Sequence, residues 1–247
     1  MIYDLIKKAE TNSNFSPTLL YNEGWMLRLV LQLLNNGEIE CDKISFSNEF
    51  KWYSEVLLRS PFLPRFQGDT FAESHTHADG VVGKFDFRGN TKGGISLDKG
   101  CDFFYIIEAK MFSKLSKGTT HAFDYNQAAR NIACLAHLIY ENRETLEIRE
   151  TDKFGFYVFL PQDQIKIEKT FREFTKPENL VIAIKDRISK YPNADKENRF
   201  DWLMENLYKF INMIDIKLIS WEELLGEQND SEIWKFYEKC LKYNKKK

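Results

Sequence analysis

Phe104-Tyr105-Ile106-Ile107-Glu108-Ala109-Lys110 is the stretch on which the reading of this chain turns. Its four successive apolar residues suit a central strand covered on both faces. Period-two alternation then sets Glu108 and Lys110 on one face and Ala109 on the other. A carboxylate and an ammonium at the end of a buried strand cost desolvation unless something uses them, and a metal ion would meet that requirement. A hard divalent cation takes oxygen ligands, with Mg²⁺ needing only one or two protein carboxylates. The second carboxylate is Asp79, at the start of the preceding strand.

Around this centre the elements fall in a definite order. Apolar residues at helical spacing from Leu19 to Leu34 predict a long first helix, stopped by Asn35-Asn36-Gly37. From Glu38 to Asp69 the pattern is irregular, with a short helix expected near Phe50 to Leu58. Strands are expected at Gly80 to Arg88 and Asp102 to Met111, and an earlier one at Phe71 to Thr76. Helical periodicity resumes from Ala122 to Tyr140, followed by a strand at Phe154 to Leu160 that Pro161 ends. Helical patterns fill Ile165 to Ile211, and Ile214 to Ile219 reads as a last strand.

The segments His77-Ala78-Asp79-Gly80 and Ile107-Glu108-Ala109-Lys110 resemble the PD-(D/E)XK nuclease superfamily, with Asp79 in the Asp position and Glu108-Ala109-Lys110 as the (D/E)XK element. The Pro of that name is absent, since Ala78 precedes Asp79. The order of elements extends the likeness, as does Glu23 near the start of the first helix, which resembles a further acidic residue carried by many such nucleases. Gln127 and Arg130 resemble the QxxR-type helix of RecB-like members. Their i, i+3 spacing independently puts both on one helix face, able to hold Glu108 or to touch substrate. The likeness covers roughly Tyr21 to Pro161.

The resemblance implies an α/β restriction-endonuclease-like core of order αβββαβ, a central mixed sheet flanked by helices. One nuclease domain would span 1–247, with its core at about 18–161 and a mostly helical extension over about 162–247. It implies Mg²⁺, replaceable by Mn²⁺, held by Asp79, Glu108 and the Ala109 carbonyl. Lys110 would place the attacking water, and Glu23 and Gln127 would complete the catalytic set. Arg130, Lys114 and Lys117 are the expected substrate-binding residues, the two lysines lying in the loop directly after Lys110. DNA is the expected nucleic-acid partner and RNA the alternative substrate. Restriction, repair and phage defence are the roles such nucleases fill. A catalytically inactive module of the same fold, binding nucleic acid or a partner protein, is the competing expectation.

Other acid-X-Lys tripeptides, Glu49-Phe50-Lys51 and Asp215-Ile216-Lys217, lack this context. Glu73, His75 and His77 alternate on one face, a weak zinc pattern without further ligands, or neighbours of Asp79.

The bulk composition sets outer bounds. At 247 residues and 43% hydrophobic content the chain can bury a full core, and its net charge of −2 provides no global field for nucleic acid, so any basic surface is local. The four cysteines are scattered, without CxxC spacing, which suits reduced thiols in a cytoplasmic protein. The apolar run Trp25 to Leu34 is about half the roughly 20 residues of a membrane span, so no membrane partner is expected. A homodimer would suit double-strand cleavage, and a regulatory protein partner is a further expectation. Lys245-Lys246-Lys247 reads as a solvated end.

Overall fold

The computed structural model describes residues 6, 8–11, 15–44, 46, 50–73, 75–89, 91–118, 122–143, 152–191, 200–226 and 231–245. The chain folds as an α/β protein around a five-stranded mixed sheet of order β1-β2-β5-β6-β7. Its strands are β1 (Lys51–Leu58), β2 (Thr76–Gly83), β5 (Phe103–Ala109), β6 (Lys153–Leu160) and β7 (Asp215–Ser220). A separate hairpin, β3 (Phe85–Phe87) with β4 (Ile95–Leu97), is inserted between β2 and β5. β1, β2 and β5 pair antiparallel, while β5, β6 and β7 run parallel. Every residue of β5 is buried, as its apolar sequence requires of a strand covered on both faces.

Helix α1 (Glu23–Asn35) covers one face and α2 (Gln127–Glu141) the other. Among the described residues, the helices between β6 and β7 are α3 (Gln162–Ile167), α4 (Lys169–Phe174), α5 (Pro177–Ser189) and α6 (Asp201–Met213). After β7 come α7 (Trp221–Leu225) and α8 (Glu232–Asn244). Ile106, Phe156 and Val158 point into a core with Ile132, Leu135 and Ile184, on the side of α2 and α5. Ile107, Tyr157 and Phe159 point the other way, into a core with Leu27, Leu31, Trp221 and Phe236. The C-terminal third therefore supplies an edge strand and part of both cores. All four cysteines are free, and among the described residues no helix is long and apolar enough to cross a membrane.

Several expectations are corrected. Residues 51–58 form strand β1 instead of a short helix; the edge position leaves its first half largely outside the core, and its residue types do not alternate. The strand expected from Gly80 to Arg88 divides at Gly83, whose φ of +152° and approach to Phe103 O, 2.6 Å from where a Cβ would stand, require glycine. That turn sends Phe85–Phe87 off to the hairpin. No strand covers 71–73 or 75: the Ala72 amide turns back to Asp69 O, and the Glu73 amide bonds Phe62 O. The helix expected from Leu19 to Leu34 divides: a four-residue helix, Pro17–Leu20, ends before Tyr21, and the long helix begins at Glu23, where the Asn22 side chain caps the Trp25 amide. The second begins at Gln127, where Asn126 caps Ala129, after a turn closed by Tyr125 N–H on Ala122 O.

Candidate active site

The antiparallel ladder between β2 and β5 ends with Gly80 opposite Ile107. One step further, Asp79 stands across from Glu108, which sets the two carboxylates side by side on one face of the sheet. Here the strands part, and the Asp79 side chain bridges the gap: its Oδ2 accepts the Ala109 amide at 2.8 Å. In an extended strand a residue's N–H and C=O share an edge, so the Ala109 carbonyl faces the same gap. α1 packs close over this point, with Leu27 Cδ2 only 3.0 Å from where a Gly80 side chain would begin. The β1 residue facing Asp79, Glu55, has a left-handed φ of +59° and interrupts the regular β1–β2 pairing there.

Glu108 is fully buried. Its Oε1 accepts Lys110 Nζ and Gln127 Nε2, both at 2.5 Å, and its Oε2 accepts Asn131 Nδ2 at 3.2 Å. Lys110 Nζ also lies 3.9 Å from Asp79 Oδ2. Burial, then the neighbouring Asp79 charge, push the Glu108 carboxyl up to about 8. Burial works against the Lys110 ammonium, but Glu108 and Asp79 together outweigh it and hold Lys110 above its ordinary value. Two carboxyl groups and one ammonium thus meet at a point where Glu108 and Lys110 are almost wholly shielded from water and Asp79 is partly exposed.

Glu23 stands at the first position of α1, accepts Ser113 Oγ at 3.3 Å, and is close enough to add to the field at Lys110. Gln127 is placed by its own backbone amide on Ser116 O and by its side-chain oxygen, which accepts the Ser116 amide at 3.2 Å. Arg130 does not reach Glu108 as one reading of its spacing allowed. Its Nη2 donates to Ser116 Oγ at 2.5 Å, at the lip of the loop after Lys110. The partner of Glu108 is instead Asn131, four residues after Gln127, which sequence reasoning missed. Its signal was a polar side chain in an Ala/Ile-rich helix face.

Lys114 is exposed, 3.7 Å from Glu168, and Lys117 is exposed on the same loop. Glu73 is not beside the two histidines as a ligand: it pairs with the buried Arg187 at 2.7 Å and accepts Ser60 Oγ. His75 and His77 are exposed, and among the described residues no three His, Cys, Asp or Glu side chains gather as a metal cage. Asp215 and Lys217 form a half-exposed pair with each other on β7, and Glu49 lies outside the described residues.

The donor set at Asp79 and Glu108 still fits a hard cation that keeps most of its own water. Two carboxylates converge there with a carbonyl edge between them, and Asn131 Oδ1 is buried without a hydrogen-bond donor, an acceptor suited to a water. No family model, curated protein or solved structure matches this chain.

Proposed function

We propose that this protein is a Mg²⁺-dependent nuclease that hydrolyses phosphodiester bonds, with DNA as its substrate and Asp79, Glu108 and Lys110 at the reacting centre. The observation that carries the reading is the convergence of two carboxylates on a buried ammonium where β2 and β5 part. Such confinement of like charges is costly in a protein core and characteristic of sites that handle a cation and a phosphate. The sequence of elements α1, β1, β2, β5, α2, β6, with β5 and β6 parallel and β2 antiparallel to β5, supports a restriction-endonuclease-like core.

Asp79, Glu108 and the Ala109 carbonyl would hold the ion, which when bound neutralises the carboxylates and polarises the scissile phosphate. Mn²⁺ has the same ligand preference and would substitute. Gln127 and Asn131 fix the orientation of Glu108 through its two oxygens. Lys110, held against Glu108, would orient the attacking water and offset the negative charge that develops on the phosphoryl oxygens. Glu23 faces the same ammonium from α1 and strengthens its charged form. Arg130, Lys114 and Lys117 line the loop beside the centre, where they meet neighbouring phosphates.

The reading is tested by incubating wild type and Lys110→Ala with linear duplex DNA, single-stranded DNA and RNA in Mg²⁺, Mn²⁺ or EDTA. Cutting that requires the cation and is lost in Lys110→Ala supports the nuclease and names its substrate. Cutting that persists in EDTA or in the variant rejects the site, and a wild type inert on all three substrates favours a binding-only protein.

A further inference from the structure

Beyond Lys110 the chain leaves the sheet, and its backbone needs new partners. The last ladder contact is Lys110 N–H on Phe159 O at 2.8 Å. Phe112 then adopts a left-handed φ of +66°, a conformation that an aromatic residue keeps only when its surroundings enforce it. The enforcing groups come from the C-terminal third. Gln164, on α3 and 2% exposed, accepts the Phe112 amide on Oε1 at 2.9 Å and donates from Nε2 to Ser113 O at 2.7 Å. Trp221, fully buried at the start of α7, donates Nε1–H to Lys110 O at 3.0 Å.

Both polar ends of the Gln164 amide are thus spent on one loop, where they replace the ladder that β5 has lost. The consequence reaches the centre twice. The Lys110 backbone is held at both of its polar groups, its N–H by Phe159 and its carbonyl by Trp221, which fixes where its side chain starts. Ser113, held by Gln164, presents its hydroxyl to Glu23 on α1. Resting on the reading of Lys110 as catalytic, we infer that Gln164 and Trp221 are positioning residues that set Lys110 and Glu23 in register with the Asp79–Glu108 pair.

The test compares wild type with Gln164→Met, which keeps the bulk and loses both bonds, with Gln164→Glu, which keeps the acceptor, and with Trp221→Phe, which keeps the ring and loses the N–H. Steady-state cleavage in Mg²⁺ is measured with amide hydrogen exchange of the metal-free proteins. Gln164→Met should lower kcat by about 100-fold, the scale of an ångström-sized misplacement, with KM within about twofold. Gln164→Glu should recover part of that loss, and Trp221→Phe should lower kcat at unchanged KM. Exchange should accelerate across 110–114 in Gln164→Met and stay unchanged in β6 and α5. A kcat for Gln164→Met within about twofold of wild type overturns the inference, as does loop exchange like that of wild type or acceleration spread through the sheet. If the wild type itself cuts nothing, the nuclease reading fails, and the exchange contrast alone still decides whether Gln164 holds the loop.

Discussion

Glu108→Gln should make the metal-free protein more stable at neutral pH while removing its activity. The Glu108 carboxyl rises from its ordinary 4.5 to about 8 on folding. Between those values the folded state binds the proton and the unfolded state has released it, so stability falls as pH climbs from about 4.5 to about 8. At pH 7.5 the lost stability amounts to three pH units at about 1.4 kcal/mol each, roughly 4 kcal/mol as an upper bound. Glutamine has the shape of the acid, keeps an oxygen for Lys110 and Gln127, turns its NH2 towards Asn131, whose amide can present its unused Oδ1, and cannot ionise, so it escapes that loss. Against this stands Lys110, which exchanges its carboxylate partner for an uncharged amide oxygen and keeps the charge of Asp79 at 3.9 Å. A charge-assisted bond of that kind contributes about 1.5–3 kcal/mol, leaving a net gain of at most about 1–2.5 kcal/mol for the variant at pH 7.5 and little or none near pH 5. Urea denaturation in EDTA across pH 5 to 8.5 measures both ends. Millimolar Mg²⁺ should stabilise wild type, most at the alkaline end, and leave Glu108→Gln unmoved. A variant no more stable than wild type at pH 7.5, or one whose pH profile parallels that of wild type, would refute the placing of an ionisable Glu108 in this pocket.

Asn131→Ala frees one oxygen of Glu108 and should reduce cleavage by about 10-fold while Mn²⁺ affinity, followed by electron paramagnetic resonance, falls over a similar range; wild-type values for both would remove Asn131 from the site. Glu73→Gln strips the counter-charge from Arg187, which is 1% exposed. It should cost about 3 kcal/mol or more in thermal or urea unfolding, yet leave cleavage per folded molecule intact; a large loss of kcat at full stability would contradict that separation. Burial pushes the Cys101 and Cys134 thiols up to about 12, so both stay neutral in the folded state while the unfolded chain ionises near 8.5. Stability should therefore fall as pH rises from about 8.5 towards 12, and a thiol reagent at pH 8 should label half-buried Cys41 well before the other three cysteines; rapid labelling of Cys134 would show that its helix face opens.

What the sequence disclosed follows from where the physics is local. The apolar run before Glu108 could only be a doubly covered strand, and its alternation set Glu108 and Lys110 on one face without reference to the rest of the chain. Asp79 could be placed because it adjoins the apolar run from Gly80, although β2 starts earlier, at Thr76, and carries Asp79 within it. β1 was hidden because its residue types, with Trp52 beside Tyr53 and Val56, Leu57 and Leu58 in succession, do not alternate, although their burial in the strand does. The division of β2 from β3 depended on Gly83 meeting the Phe103 carbonyl, a contact that local pattern does not reveal. Asn131 was passed over in favour of Arg130 because both spacings put a residue on the same helix face as Gln127, and only the depth of the helix against β5 chooses between them. Gln164 acts on Phe112 across 52 residues, so nothing in its own neighbourhood marks it. The C-terminal third, read as an extension, supplies β7 and the clamp on the loop after Lys110.

The most direct test of the central claim is Mg²⁺-dependent cleavage of DNA by wild type and Asp79→Asn, purified alike and matched for folded fraction. Asp79→Asn keeps an oxygen for the Ala109 amide and removes the charge that faces Glu108 and Lys110, so the fold should survive. Wild type should cut only with the cation, and the variant should lose about 1000-fold of that activity. Equal cutting by the two proteins, or none by a folded wild type under any of these cation conditions, would contradict the central claim.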